Sequence, residues 1–319
     1  MPSKMLPSTP SPARPEALLS IVIVNWNTRA FLAGCLRSLA DNLQAWPGPS
    51  VETFVVDNAS SDGSAAMVRE GFPAVRLIEN AENVGFARAN NQAIGQAHGR
   101  YILLLNSDTE VQAGAMERLV AFMEAHPRAG AAGPRLLNSN GSLQPSCSPM
   151  PTPGREFWRL LFLEAVWPRA TYPMRRWDWA TPRQVEVIKG ACLLLRREAL
   201  AEVGALDESY FMYTEEVDLC YRLAQAGWQR WWVPTATVIH HGEASSRQVA
   251  EAMYLQLYRS KVQFYRKFGG ERRAERFKGL IRLAYGPRLA VAAAGGLFSP
   301  SWARRARTYR RLLAELRAM

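Results

Sequence analysis

Apolar residues in the first third of the chain come in four short runs, and each run gives way to amide and carboxylate side chains. Residues 18–24 form a β-branched strand pattern that stops at Asn25-Trp26-Asn27-Thr28, with helical spacing through Leu32, Leu36 and Leu39 behind it. Residues 51–56 run into Asp57-Asn58-Ala59-Ser60-Ser61-Asp62-Gly63-Ser64, with a helix expected from Ala65. Residues 75–79 lead to Asn83-Val84-Gly85-Phe86 and a small-residue helix through Asn90, Asn91 and Ile94. Residues 101–105 end in Asn106-Ser107-Asp108-Thr109-Glu110. Strand, polar loop and helix repeated at this spacing predict βαβ units around a parallel sheet, whose carboxyl edge is where ligands collect.

Further on, a helix is expected through residues 116–120 to His126-Pro127, followed by a Gly/Ala/Pro segment and a turn at Asn138-Ser139-Asn140-Gly141. Periodicity fails over residues 142–183. Seven prolines and the aromatics Trp158, Phe162, Trp167, Tyr172, Trp177 and Trp179 there suit either a substrate loop or packing around an inserted helix at residues 156–166. Residues 189–197 are strand-like. Glu215 opens an amphipathic helix on Val217, Cys220 and Leu223, and residues 228–241 read as a strand.

The strand ends carry the candidate chemistry. Asp108 is a hard oxygen donor of the kind that binds Mg²⁺ or Mn²⁺ together with water and substrate phosphate. Taken alone, Ser107-Asp108-Thr109 is simpler to read as the cap of the next helix. Asp57 is placed to accept the imide N–H of a pyrimidine ring, and Asn83, Asn90 and Asn91 to address ribose and phosphate oxygens, whereas Asp62-Gly63 reads as turn chemistry. Gly190 and Ala191 are small enough to let a ligand approach the backbone. Glu215 and Glu216 follow the apolar stretch Phe211-Met212-Tyr213, a wall that raises a carboxylate pKa toward general-base range. His240 and His241, adjacent on one strand, must face opposite ways, so one of them can enter the cleft as a metal or diphosphate ligand. Neither a G-x-G-x-x-G nor a P-loop motif occurs.

At 319 residues with 48% hydrophobic and 21% charged positions, the chain fits one large globular domain with appendages. The net charge of +11 is local: residues 245–319 hold 17 Lys and Arg against 4 Asp and Glu. A cleft lined by Asp, Glu and Asn argues against a nucleic-acid partner. Residues 1–17 are rich in Pro, Ser and Thr, lack the apolar core of a signal peptide, and are expected to be a disordered leader. Cys35, Cys147, Cys192 and Cys220 show no paired spacing, as in a reduced cytoplasmic chain. In the tail, Met253, Leu257, Val262 and Phe264 lie among Tyr254, Tyr258 and Tyr265, close to Arg259, Lys261, Arg266 and Lys267. No apolar stretch there approaches the roughly 20 residues of a membrane span. The tail is expected to lie on the anionic inner face of the cell membrane, with packing on the catalytic domain as the alternative.

Seven stretches, in order, resemble family 2 glycosyltransferases and their bacterial rhamnosyltransferase-like branch across residues 19–246: residues 21–27, 55–64, 83–86 with Asn90-Asn91, 104–109, 190–197, 211–220, and His240-His241-Gly242. The resemblance implies an α/β GT-A fold with a Rossmann-like mixed sheet over residues 18–246 and a helical extension over 247–319. It sets Asn106-Ser107-Asp108 at the family's D-x-D motif, with Asp108 as metal ligand and His240 or His241 beside it. It sets Glu216 in the slot of the catalytic base, next to Glu215. It gathers Asn25, Asn27, Asp57, Asn58, Asn83, Gly85, Asn90, Asn91, Asn106, Ser107, Gly190 and Ala191 around the nucleotide sugar. The activity implied is inverting transfer from dTDP-L-rhamnose, or alternatively a UDP-hexose, onto a cell-surface polysaccharide or polyprenyl-linked acceptor. A divalent metal, Mg²⁺ or Mn²⁺, is implied with it. A catalytically silent nucleotide-sugar-binding domain would share these motifs.

Overall fold

The computed structural model describes residues 17–165, 170–242 and 246–319. All of the expected leader except Ala17, together with Val166 and Trp167, lies outside them. Strand β1 (Ala17–Asn25) pairs in parallel with β2 (Val51–Asp57) and β4 (Gly99–Asn106), and β2 pairs with β3 (Arg76–Glu79). Ile21, Val22, Ile23, Val55, Val56, Leu103 and Leu104 are buried. Strands covered on both faces in this way need continuous apolar runs, not alternation. Helices α1 (Arg29–Ala45), α2 (Ser64–Gly71) and α3 (Phe86–Ile94) are the crossovers. Register aligns the strand ends: Asn25 lies beside Asp57, and Val24 beside Asn106.

Parallel order ends there, and the sheet is mixed. Strand β11 (Cys192–Arg196) runs antiparallel to β4 and to β6 (Ala129–Leu137); β12 (Gln229–His240) is parallel to β6, and β5 (Thr109–Val111) antiparallel to β12. The Gly/Ala/Pro segment, to which the sequence pattern assigns no element, is strand β6, between β11 and β12. Its small residues answer close packing: an added Cβ at Gly133 would lie 2.3 Å from Ile188, and one at Gly130 would lie 2.7 Å from Trp228. Helix α4 (Ala115–Ala125) starts after a left-handed Gly114 with no side-chain cap. The capping role weighed for Ser107, Asp108 and Thr109 therefore does not hold.

Residues 142–183 are more ordered than their composition suggests. β7 (Leu143–Gln144) pairs with β6, and β8 (Cys147–Ser148) with β10 (Val187–Ile188). Helix α5 (Pro153–Leu160) stops short of the expected span, and β9 (Arg183–Gln184) adds to β12. Trp177 packs on Tyr172 and Trp232, with centroids 5.2 Å apart in each case. These rings belong to the core rather than to a sugar platform. Helices α6 (Arg197–Val203) and α7 (Glu215–Gln225) complete the sheet domain, whose four cysteines are buried and free.

Helix α8 (Ala250–Gly295), interrupted by the left-handed Gly270, and α9 (Pro300–Glu315) form the tail. Leu255, Tyr258, Val262, Phe264 and Tyr265 bury against Phe277, Ile281, Tyr285 and Leu312, and against Leu160 and Tyr210 of the sheet domain. The stripe expected on a membrane is therefore largely internal. Magnitudes explain why: a buried aromatic or aliphatic side chain contributes about 1.5–3 kcal/mol, against about 1 kcal/mol for a basic residue at an anionic surface. Among the described residues no helix is long and apolar enough to cross a membrane.

Candidate active site

Pairing of β5 with β12 sets Thr109 opposite His240, and the His241 N–H donates to the Asp108 carbonyl at 2.9 Å. Register thus carries the end of β12 to the Asn106-Ser107-Asp108 tip. His240 Nε2 lies 3.2 Å from Asp108 Oδ1 and 3.4 Å from Asn106 Nδ2. Gln144 Nε2 donates to Asn138 Oδ1 (2.9 Å) and to the His240 carbonyl (3.1 Å). Its Oε1 is therefore the acceptor that stands 2.7 Å from His240 Nδ1. The ring nitrogen away from Gln144, Nε2, is thus the one turned toward the buried Asp108 carboxylate. Asp108 and His240 suit a hard divalent cation completed by phosphate and water, with Gln144 fixing the imidazole from behind. Among the described residues no cluster of three or more His, Cys, Asp or Glu is set to hold a metal. His241 also lines the cavity of Glu215 and Glu216, but its ring meets Glu110 and Ser139 instead of Asp108, with Nε2 2.9 Å from Glu110 Oε1 and Nδ1 2.8 Å from Ser139 Oγ. Gln144→Leu keeps the volume but frees the imidazole, and is expected to weaken Mn²⁺ binding by about 10–100-fold in a metal titration. Unchanged affinity would remove Gln144 from the site.

Across the cleft, Tyr213 (φ 68°) and Thr214 (φ 76°) are consecutive left-handed residues immediately before α7. Such residues cost of order 1–3 kcal/mol each and persist where their surroundings over-determine them. Here Ser260 Oγ donates to the Met212 carbonyl (2.8 Å), and the Asp218 N–H to the Thr214 carbonyl (2.8 Å). The buried Asp218 carboxylate accepts from Arg222 Nε (2.6 Å), Lys267 Nζ (2.7 Å) and the Tyr210 hydroxyl (3.3 Å). The turn sets Glu215 and Glu216 in the wall of one cavity, and among the described residues each keeps a buried Oε2 with no hydrogen-bond partner. Burial pushes Glu215 well above the ordinary glutamate range, and the neighbouring Glu216 charge adds to this. Glu216 is raised too, chiefly by burial, but backbone N–H groups and the Lys189 ammonium hold it back. The negative charge of the pair is therefore placed on Glu216.

Two cavities meet between these pairs. One, of about 470 Å³, is lined by Lys189, Gly190, Ala191, Gln144, Glu215 and Glu216. The other, of about 450 Å³, is lined by Trp26, Asn58, Asn83, Gly85, Ser107, Asp108 and Phe211, and by Val249, Ala252 and Met253 from the tail. Phe86, Asn106, Met212, Tyr213 and His240 line both. Gly85 is required where it stands: its φ is +87°, and a Cβ would lie 2.5 Å from the Phe211 carbonyl oxygen, which accepts the Phe86 N–H at 2.7 Å.

Asn25, Asn27 and Asp57 are not in the lining of the two cavities, whereas Asn58, Asn83 and Ser107 are, and all six are tied to neighbouring side chains or backbone. Asn25 Nδ2 donates to Asp57 Oδ1 (3.0 Å), and Asp57 Oδ2 accepts the Ser60 N–H (2.9 Å). Asn27 Oδ1 accepts the Ser61 N–H (2.7 Å), Ser107 Oγ meets Thr28 Oγ1 (2.9 Å), and Asn58 Nδ2 donates to Asn83 Oδ1 (2.9 Å). Asn90 donates to the Phe86 carbonyl, while Asn91 bonds both the N–H and the carbonyl of Leu206. Neither Asn90 nor Asn91 is among the lining of the two cavities; they brace α3. Sequence reasoning passed over Trp26, Gln144, Lys189 and the first turn of α8. Trp26 sits inside a motif stretch and Lys189 immediately before one, which could have flagged them, but Gln144 and the tail residues carry no such signal.

The chain matches the model of glycosyl transferase family 2 over residues 20–204. It is 34% identical over 239 residues to the N-acetylglucosaminyl-diphospho-decaprenol L-rhamnosyltransferase of Mycobacterium tuberculosis, a match that covers 70% of this chain and 76% of that one. Among solved structures, the mannosyltransferase of Pyrobaculum calidifontis in complex with GDP-Man and Mn²⁺ aligns with a TM-score of 0.51 and 19% identity, over 98% of this chain and 89% of its own. GalNAc-T7, solved with UDP, GalNAc and Mn²⁺, aligns with a TM-score of 0.52 and 17% identity, over 70% of this chain and 44% of its own.

Proposed function

This chain belongs to glycosyltransferase family 2, and from that premise we propose that it moves L-rhamnose from dTDP-L-rhamnose, with inversion, onto a hydroxyl of a polyprenyl-diphosphate-linked sugar. One observation carries the reading: the Asp108–His240 pair and the Glu215–Glu216 pair face adjoining cavities that share a wall. The donor nucleotide would lie along Trp26, Asn58, Asn83 and Gly85, with its diphosphate toward Asp108 and His240. A Mg²⁺ or Mn²⁺ held by those two residues would neutralise charge on the departing diphosphate. The acceptor hydroxyl would enter beside Gly190 and Ala191. There Glu216 takes its proton as the oxygen attacks the anomeric carbon from the face opposite the diphosphate. The new C–O bond forms as the sugar–phosphate bond breaks, and Glu215, kept protonated by burial, leaves Glu216 as the base. Support for rhamnose and for a lipid-linked acceptor comes from the mycobacterial relative, whose name specifies both.

The donor choice is tested by thermal shift and donor consumption across a panel of dTDP- and UDP-sugars with Mn²⁺ present. Saturating dTDP-L-rhamnose is expected to stabilise the protein by about 2.7 kcal/mol at a hundred times its Kd, and to be the donor consumed. Stabilisation and turnover by a UDP-hexose, with none by dTDP-L-rhamnose, would reassign the donor.

A further inference from the structure

The turn between α8 and α9 is apolar and open. Leu297 is 81% exposed and Phe298 89%, with Val291 at 60% on the closing turns of α8. Trp302 closes this turn against Gly295, where an added Cβ would lie 3.0 Å from the indole, and the Arg305 guanidinium stands 5.1 Å from the same ring. Beside it, two adjoining cavities of about 380 and 330 Å³ form a groove lined by Tyr254, Ser301, Arg304, Arg305, Arg307 and Thr308. Among the described residues these three arginines have no carboxylate partner, whereas Arg259 and Arg311 on the same two helices pair with Glu315 and Glu251. Guanidinium forks beside hydroxyls suit phosphate, and an apolar tip rimmed by cations suits a lipid interface. The first turn of α8 is shared between sites: Ala252 and Met253 face the sugar-nucleotide cavity, while Ala250, Glu251 and Tyr254 face the groove. Groove and cavity are one helix apart, about 10 Å.

We infer that the α8–α9 hairpin is a membrane-docking site, in which Leu297 and Phe298 enter the acyl boundary of an anionic leaflet while Arg304, Arg305 and Arg307 hold lipid phosphate headgroups. The basic excess of residues 245–319 supplies the complementary charge. The inference rests on the reading of a lipid-linked acceptor, because docking here brings a membrane-borne sugar within a helix's width of the sugar-nucleotide cavity.

The test is co-sedimentation of the full-length protein with vesicles of phosphatidylcholine alone or mixed with phosphatidylglycerol, with consumption of dTDP-L-rhamnose followed in parallel. Wild type is expected on the anionic vesicles, less so at high salt. The double variant Leu297→Asp/Phe298→Asp is expected to lose at least about tenfold in binding. The triple variant Arg304→Gln/Arg305→Gln/Arg307→Gln is expected to lose on the order of a hundredfold, about fivefold per arginine. All the substituted residues are on the surface turn or groove, so melting temperature and donor consumption should match wild type. Vesicle binding that survives both variants overturns the inference and leaves glycosyl transfer untouched. Absent donor consumption with normal vesicle binding overturns the transfer reading alone. Wild type that binds inorganic phosphate, or self-associates through the tip, yet ignores vesicles also overturns the membrane assignment.

Discussion

Glu216→Gln is expected to keep donor binding and lose about 10²–10⁴ in kcat. The amide preserves shape, but it cannot take the acceptor proton. Because burial raises Glu216, wild-type kcat/KM should fall as pH drops through a value above the ordinary glutamate range. Glu215→Gln separates the two roles. Burial and the Glu216 charge raise Glu215 further than Glu216, so its amide should cost little in rate. It should also stabilise the fold. A carboxyl whose folded pKa is raised binds a proton that the unfolded chain has lost, so its stability cost opens above the unfolded value of about 4.5 and grows until the raised folded pKa. Thermal melts across that window should show the Glu215→Gln advantage widening as pH rises. If Glu215→Gln instead shows the kcat collapse and Glu216→Gln is nearly silent, the base is Glu215.

Asp108→Asn is expected to abolish turnover while leaving the melting temperature near wild type. The amide fits the same space but cannot balance a divalent cation, and loss of several kcal/mol of charge stabilisation corresponds to about three orders of magnitude in rate. Mn²⁺ titration should show weakened binding in the variant and, by the same logic, in His240→Ala. Wild-type rates in Asp108→Asn with a chelator present would dismiss the metal assignment altogether.

Strands β1, β2 and β4 were legible because their inner residues are buried, so burial wrote itself into the sequence as apolar runs with polar stops. Strand β6 was not, because its neighbours demand glycine and alanine where β-branched residues would collide. The motif positions Asn106, Asp108, Glu215 and Glu216 were visible as polar breaks after apolar runs. Which histidine meets Asp108 was not, since only the pairing of β5 with β12 and the distant Gln144 decide it. Asn90 and Asn91 show the converse limit. An amide can brace a helix or touch a ligand, and spacing does not distinguish the two.

The match to the family ends at residue 204, yet the carbonyl of Met212 is held by Ser260 and the Asp218 carboxylate by Lys267, both on α8. Recombination between relatives would therefore find a poor junction near residue 246. A foreign tail spliced there could supply a helix of the right length and still leave the turn before α7 without the hydroxyl and ammonium that hold it. In such a lineage the head and the tail would have to be inherited together, and a substitution at Ser260 would select for a matching change some fifty residues upstream, around Met212.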